Sequence, residues 1–312
     1  MEAIPTKRQN DFSKGKVSRN ILNLALPMTL AQLINVLYSV VDRMYIGHIP
    51  EAATLALTGL GLTFPIISII TAFANLFGMG NSFCMMVATG LVLTALFLVF
   101  KGPLLRLFGA SGQTFPYADG YLTVYLCGSV FVMVGLGMNS FINSQGFGKM
   151  GMMTVLLGAV TNILLDPLFI FVFGMGVQGA ALATVISQFL SAAWVFRFLT
   201  GKKAIYRLQK KTMKPDWKIV GEIVSLGMSS FCFAITNSLV QIVCNINLQQ
   251  FGGDLYVGIM TVANSVREVV SMPINGLTNG AQPVIGYNYG AREYRRVRSG
   301  IRFMSVVCVV YT

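Results

Sequence analysis

The chain has 312 residues, of which 54% are hydrophobic and 11% are charged, and its formal net charge is +12. Soluble domains carry about 25% charged residues, so this chain has too few charges to cover a water-soluble globule of its size. A disordered chain is excluded as well, because disorder requires few apolar residues and many charges. The composition therefore indicates a polytopic membrane protein, with room for about seven to nine spanning helices.

Eight apolar stretches follow one another along the chain, each bounded by glycine, proline or charged residues. Apolar runs of this length predict helices, since the strands of a membrane barrel are about 10 residues long and alternate in polarity. We therefore expect an all-helical bundle, with a ninth stretch beginning near Gly300. The eight predicted spans are 20–46, 53–80, 82–100, 121–145, 152–175, 178–200, 218–249 and 255–286.

The positive charges are concentrated in four of the polar segments. Nineteen of the 23 lysines and arginines lie before the first span, between spans four and five, between spans six and seven, and after span eight. The opposite connections hold Arg43, Lys101 and Arg106, and Arg267 lies within a span. Because positively charged loops stay in the cytoplasm, this pattern predicts a cytoplasmic N-terminus. It favours contacts with anionic lipids over nucleic acid, so no nucleic-acid partner is expected.

No motif in the sequence indicates a cofactor or catalysis. The five cysteines lie in apolar stretches without a C-x-x-C pair, so neither a metal site nor a disulfide framework is predicted. A Walker A lysine motif is absent from the sequence, so ATP-driven transport is unsupported. We expect a chain that is not an enzyme and has no cofactor.

Two segments of the chain resemble each other across the polar connector 202–218. The first opens at Leu24-Ala-Leu-Pro27 and reaches Pro65 and Gly78 in its second span. The second opens at Ser225-Leu-Gly-Met228 and reaches Pro273 and Gly276. An internal repeat of this kind is common in secondary transporters, and here both halves have the same orientation.

The polar motifs within and between the spans, taken as an ordered set, point to one family. The chain resembles the multidrug and toxic compound extrusion (MATE) family of antiporters from about Ser18 onward. The residues that carry the resemblance are Leu24-Ala-Leu-Pro27, Asp42-Arg-Met-Tyr-Ile-Gly47, Asn143-Ser-Gln-Gly146, Asn162-Ile-Leu-Leu-Asp166-Pro-Leu-Phe-Ile170, Gly179-Ala-Ala-Leu-Ala-Thr184 and Gly280-Ala-Gln-Pro-Val-Ile-Gly-Tyr-Asn-Tyr-Gly290-Ala291.

The resemblance implies two six-span lobes, of which this sequence contains the first and the start of the second. The expected division is a cytoplasmic segment 1–19, a first lobe 20–200, a basic linker 201–218 and an incomplete second lobe 219–312. Comparison of the two halves also indicates a gap. About twenty residues that follow Gly280 in the second half have no counterpart between Gly80 and Asn81 in the first half.

Asp166 is the residue most indicative of function. It lies in an apolar span four residues after Asn162, on the same helical face, and directly before Pro167. A carboxylate in hydrocarbon costs about 2.5–3.5 kcal/mol, and proline frees a backbone carbonyl for a cation or water. We interpret Asp166 and Asn162 as a cation-coupling pair, although a purely structural tie between two helices is the alternative.

Asp42 lies nearer the end of its span, beside Arg43, where an interfacial ion pair is an equal alternative. The resemblance favours function, because the family's first-lobe cation site uses a carboxylate at this point together with the Asn-x-x-x-Asp pair. The resemblance is compatible with a transient Na⁺ at Asp42 and Asp166, and no permanent metal is expected. Further residues are predicted to line the cavity: Asn35, Tyr121, Asn139, Thr184, Gln241, Arg267 and Glu268.

The resemblance implies secondary active efflux of small organic, often cationic, compounds across the plasma membrane, coupled to inward movement of H⁺ or Na⁺. The expected protein is a monomer surrounded by the lipid bilayer. Two alternatives stay open: a flippase for lipid-linked precursors, which has a related fold, and an inactive transporter fragment.

Overall fold

A computed structural model of the chain describes residues 12–49, 53–78, 83–208 and 217–311. Within these ranges every regular element is helical. The predicted gap after Gly80 and residues 209–216 of the basic linker lie outside the described residues. The helices are α1 Val17–Ile46, α2 Ala53–Gly78, α3 Phe83–Leu107, α4 Phe115–Cys127, α5 Ser129–Ser144, α6 Gly148–Pro167, α7 Gly176–Thr200, α8 Trp217–Gly290 and α9 Tyr294–Tyr311, with a π-helical turn, Leu168–Val172, after α6.

The helices are long and apolar enough to cross a bilayer. Six helical stretches of the described chain meet this criterion, or seven if the bent pair α4–α5 counts as one span. Their outward faces carry large exposed apolar side chains such as Val99, Leu164 and Val172. Such a surface would be unfavourable in water and fits hydrocarbon. The predicted all-helical membrane bundle is confirmed.

The fourth predicted span is bent rather than continuous. Helix α4 ends at Cys127 and α5 begins at Ser129, and their axes differ by 59°. Gly128 lies at the bend, where it packs directly against Val185 of α7. Because glycine has no Cβ, the chain can turn here while staying in contact with the neighbouring helix.

The predicted spans seven and eight lie in one long helical run, α8. Gly253, with φ 67° and ψ −168°, divides α8 into a first arm, 217–252, and a second arm, 254–290. This conformation is nearly exclusive to glycine. A straight helix of 60 residues would be about 90 Å long, three times the thickness of the bilayer core, so the break lets the chain return across the membrane.

The core lies among α2, α3, α4, α5 and α7, which pack against one another. Helix α1 packs on α6 on one side and on α8 on the other. A second, smaller apolar cluster joins the start of α1 to the end of α8 and to α9. Gly280 of α8 lies so close to Ala25 that a Cβ would overlap the α1 backbone. Small residues permit this close helix contact, as in other membrane bundles.

Candidate functional site

The predicted pair on α6 is fully enclosed by protein. Asp166 is 0% exposed and Asn162 is 1% exposed. The amide Nδ2 of Asn162 donates a hydrogen bond to Asp166 Oδ1 at 3.2 Å. Pro167 follows directly, and the chain continues as the π-helical turn. Since proline cannot donate to the preceding turn, this distortion of the helix begins directly beside the carboxylate.

Helices α7 and α4 complete the polar surroundings of this pair. Asn162 Nδ2 also lies 3.4 Å from Thr184 Oγ1, to which it donates. Tyr121 on α4 lies near Thr184, and both residues are buried. The fold therefore gathers Tyr121, Asn162, Asp166 and Thr184, which are separated in sequence, around one point.

Asp42 of α1 faces the same point and is 8% exposed. Its carboxylate lies close enough to Asp166 for the two groups to repel each other when both are charged. Among the described residues, Asp42 Oδ1, Asn162 Oδ1 and Asp166 Oδ2 are buried without a hydrogen-bond partner. Three unsatisfied acceptors of this kind form a suitable site for a proton or a small cation. We call Asp42, Tyr121, Asn162, Asp166 and Thr184 the carboxylate cluster.

Tyr38 belongs to this region although it was not among the residues predicted from the sequence. It lies one helical turn before Asp42 and lines a cavity together with Asn35. The signal was present in the sequence: Asn35, Tyr38 and Asp42 occur at three- and four-residue spacing, which places them on one face of α1.

A small cavity of about 40 Å³ lies between α1, α5, α6 and α7. Two residues predicted to line a cavity, Asn35 and Asn139, lie in its wall together with Tyr38. Asn139 Oδ1 is another buried acceptor without a partner in the described part of the chain. The opposite wall carries Ser187 and Ser191 of α7, so polar groups line both sides.

The three other predicted cavity residues lie on α8. Glu268 forms an ion pair with Arg43 of α1, with Arg43 Nη2 3.5 Å from Glu268 Oε2. The same guanidinium donates to Ser265 and lies 4.9 Å from the centre of the Phe64 ring. Arg267 is exposed. Gln241 is half-buried, and no described hydrogen bond joins it to the carboxylate cluster.

The MatE family model matches residues 79–168 and 230–311, which together make up more than half of the chain. The chain belongs to the MatE family. The two matched segments of this MatE chain lie on either side of the basic connector 202–218. This assignment confirms the resemblance that the ordered motifs predicted.

Known relatives and solved structures agree with the family. The multidrug export protein MepA of Staphylococcus aureus is 26% identical over 324 residues, covering 96% of this MatE chain and 71% of that protein. MepA of Staphylococcus haemolyticus is 24% identical and covers 91% of the chain and 67% of that protein. The structure of the MATE multidrug transporter DinF-BH in complex with a small molecule has a TM-score of 0.89 and 29% identity, covering 99% of this chain and 73% of that one.

Proposed function

We propose that this protein exports small organic compounds across the plasma membrane, and that H⁺ or Na⁺ moving inward drives the export. MepA is a multidrug export protein, and DinF-BH is a multidrug transporter with a small molecule bound. These relatives support the substrate class. The coupling step rests on one observation of this chain: two buried carboxylates, Asp42 and Asp166, interact electrostatically, and each has an oxygen without a hydrogen-bond partner among the described residues.

The proposed coupling follows from the electrostatics of this pair. Two carboxylates that repel each other in an apolar surrounding are costly when both are charged, so a proton or a sodium ion binds favourably at this pair. Asn162 holds Asp166 in place through its amide, and Thr184 in turn accepts from Asn162. Loss of the cation to the cytoplasm restores the repulsion, which supplies a difference in energy between two arrangements of α1 and α6.

In the proposed transporter the chain divides into a first lobe, 20–200, and the start of a second, 219–312. The carboxylate cluster would then belong to the first lobe, and the α1–α8 contact would lie between the lobes. An acidic cluster disfavours a flippase for lipid-linked precursors, whose anionic headgroups it would repel.

The central experiment substitutes Asp166 by Asn, which keeps the shape of the side chain and removes its charge. The transported probe is rhodamine 6G, a fluorescent organic cation, in proteoliposomes. An imposed proton or sodium gradient should accelerate its export by the wild-type protein, and we expect Asp166→Asn to abolish most of this acceleration. Asp42→Asn should act in the same direction, and the double variant should add little, because the two groups share one site.

Asp119→Asn is the matched control. Asp119 pairs with Lys101 at 2.7 Å, outside the carboxylate cluster, so its loss should leave the gradient dependence in place. Separate H⁺ and Na⁺ gradients identify the coupling ion. Unchanged acceleration by both gradients in Asp166→Asn would contradict the coupling role.

A further inference from the structure

A pocket of about 340 Å³ opens between the first turn of α6 and the last turns of α7. It lies at the same end of the bundle as the start of α1, because Gly148 at the beginning of α6 contacts Leu24. The pocket is separate from the carboxylate cluster. Its lining combines cations with apolar and aromatic side chains, namely Met150, Trp194, Arg197, Phe198, Lys202 and Lys203.

Three positive charges converge on this pocket. The two ion pairs in the described part of the chain involve other residues. The described residues that line the pocket include no carboxylate to balance these charges. Since Arg197, Lys202 and Lys203 repel one another, a bound anion would stabilise this arrangement.

The two lysines are held in position by the folded start of the basic connector. The backbone amides of Ile205 and Tyr206 donate to Gln145 Oε1 at 2.9 and 3.0 Å. Arg207 Nη2 donates to the Lys202 carbonyl at 3.0 Å, so a hydrogen bond within the connector also stabilises the turn. The lysines therefore extend from an ordered loop.

Trp194 adds an unsatisfied hydrogen-bond donor. Its Nε1 is buried and has no acceptor among the described residues. The indole N–H can only donate, and a buried donor without a partner costs free energy. An anion with oxygen acceptors in the adjacent pocket would satisfy it.

The apolar surroundings indicate a lipid rather than a free anion. Met150 in the pocket begins a stripe on α6, at three- and four-residue spacing, of exposed apolar side chains. The stripe continues with Met153, Leu157, Val160 and Leu164, which are 42%, 38%, 47% and 68% exposed. A headgroup in the pocket would place its acyl chain along this stripe.

We infer that the pocket binds the phosphate of an anionic phospholipid, a ligand separate from the exported compound. Arg197, Lys202 and Lys203 neutralise the phosphodiester, and Trp194 donates to one of its oxygens. Basic pockets between membrane helices suit such headgroups. The bound lipid would fix the end of α7 and the start of the connector against α6.

The experiment is native mass spectrometry of the purified protein titrated with phosphatidylglycerol, phosphatidylcholine or inorganic phosphate. The wild-type protein should retain phosphatidylglycerol with about tenfold preference over phosphatidylcholine, because both lipids carry a phosphodiester but the three cations of the pocket repel the cationic choline of phosphatidylcholine. The triple variant Arg197→Gln, Lys202→Gln, Lys203→Gln should lose this preference. Lys202→Arg with Lys203→Arg should keep it, because the charges remain.

The matched control is Arg295→Gln, Arg298→Gln, Arg302→Gln, which removes the same charge from exposed positions on α9. It should retain the preference. The proposed site would be contradicted if both triple variants lost the lipid preference equally, or if the pocket variant kept it. Binding of inorganic phosphate as tight as that of phosphatidylglycerol would show that the ligand is not a lipid.

Trp194→Phe tests the pocket with a change that keeps the aromatic packing. It should weaken phosphatidylglycerol binding severalfold, since one hydrogen bond to the phosphate is lost. This variant decides the question if the pocket triple variant does not fold. Unchanged affinity of folded Trp194→Phe for phosphatidylglycerol would then contradict the inference.

Discussion

The side chain of Asn162 links the charged and neutral parts of the carboxylate cluster. Its Nδ2 donates both to Asp166 Oδ1 and to Thr184 Oγ1, while its Oδ1 stays unsatisfied among the described residues. The four-residue spacing between Asn162 and Asp166 sets up the first contact within α6. The second contact depends on how α7 packs. Thr184 therefore connects the Asn162–Asp166 pair to α7.

Replacing Thr184 by Val tests this role, because valine keeps the shape and removes the hydroxyl. Asn162 would lose an acceptor, and leaving that buried donor unsatisfied costs about 1–3 kcal/mol. We expect reduced gradient-driven export and a lower unfolding midpoint. Both can be measured on the reconstituted and detergent-purified protein. Thr184→Ser keeps the hydroxyl and should preserve export, so equal behaviour of the two variants would contradict the role of this hydrogen bond.

Two helical regions depart from regular α-helical geometry, one beside the carboxylate cluster and one in the core. Helix α6 changes to a π-helical turn directly after Asp166 and Pro167. The α4–α5 pair bends by 59° at Gly128. Both departures follow from local chemistry: proline cannot donate a backbone hydrogen bond, and glycine has no side chain to collide with α7.

Gly128→Ala should destabilise the bundle, because a methyl group there would lie 2.9 Å from Val185 Cβ and closer still to its methyl groups. Overpacking of this kind costs about 1–3 kcal/mol. We expect a lower thermal midpoint in detergent.

Gly102→Ala is the control for Gly128→Ala. Gly102 lies in α3, and an added Cβ there would meet no atom of the described residues within 4 Å. Alanine favours a helix over glycine, so this change should be neutral or slightly stabilising. Equal midpoints for the two variants would show that the bend tolerates a side chain.

At the scale of the whole molecule, α1 contacts both the carboxylate cluster and the region formed by α8 and α9. It packs on α6 through the carboxylate cluster and on α8 through Arg43 and Ala25. Arg296, near the start of α9, donates to the carbonyls of Phe12 and Gly15, just before α1. Movement of α1 therefore affects the site and the α8–α9 region together.

The charge distribution predicts that the basic connector faces the cytoplasm. In a background without the five native cysteines, Lys210→Cys should react with an impermeant thiol reagent only after the membrane is opened. Gln113→Cys, exposed in the connection between α3 and α4, should react from outside intact cells. External labelling at position 210 together with protection at position 113 would show that the orientation is the reverse of the proposed one.

The class of the fold and the candidate pair on α6 could both be predicted from the sequence. Long apolar stretches can satisfy their backbone groups in a bilayer only as helices, so composition alone was decisive. The pairing of Asn162 with Asp166 could also be predicted from the sequence, because a four-residue spacing brings two side chains together on one helix. The break at Gly253 also lies between the predicted spans 218–249 and 255–286.

The meeting of separate helices could be seen only in the folded chain. The sequence could not place Tyr38 beside Asn139 in one cavity wall or pair Glu268 with Arg43. It also predicted one span over 121–145 without a bend, whereas the chain bends within that range against α7. These contacts depend on helix rotation and crossing, which local spacing does not specify, because packing between helices is set by side chains far apart in sequence.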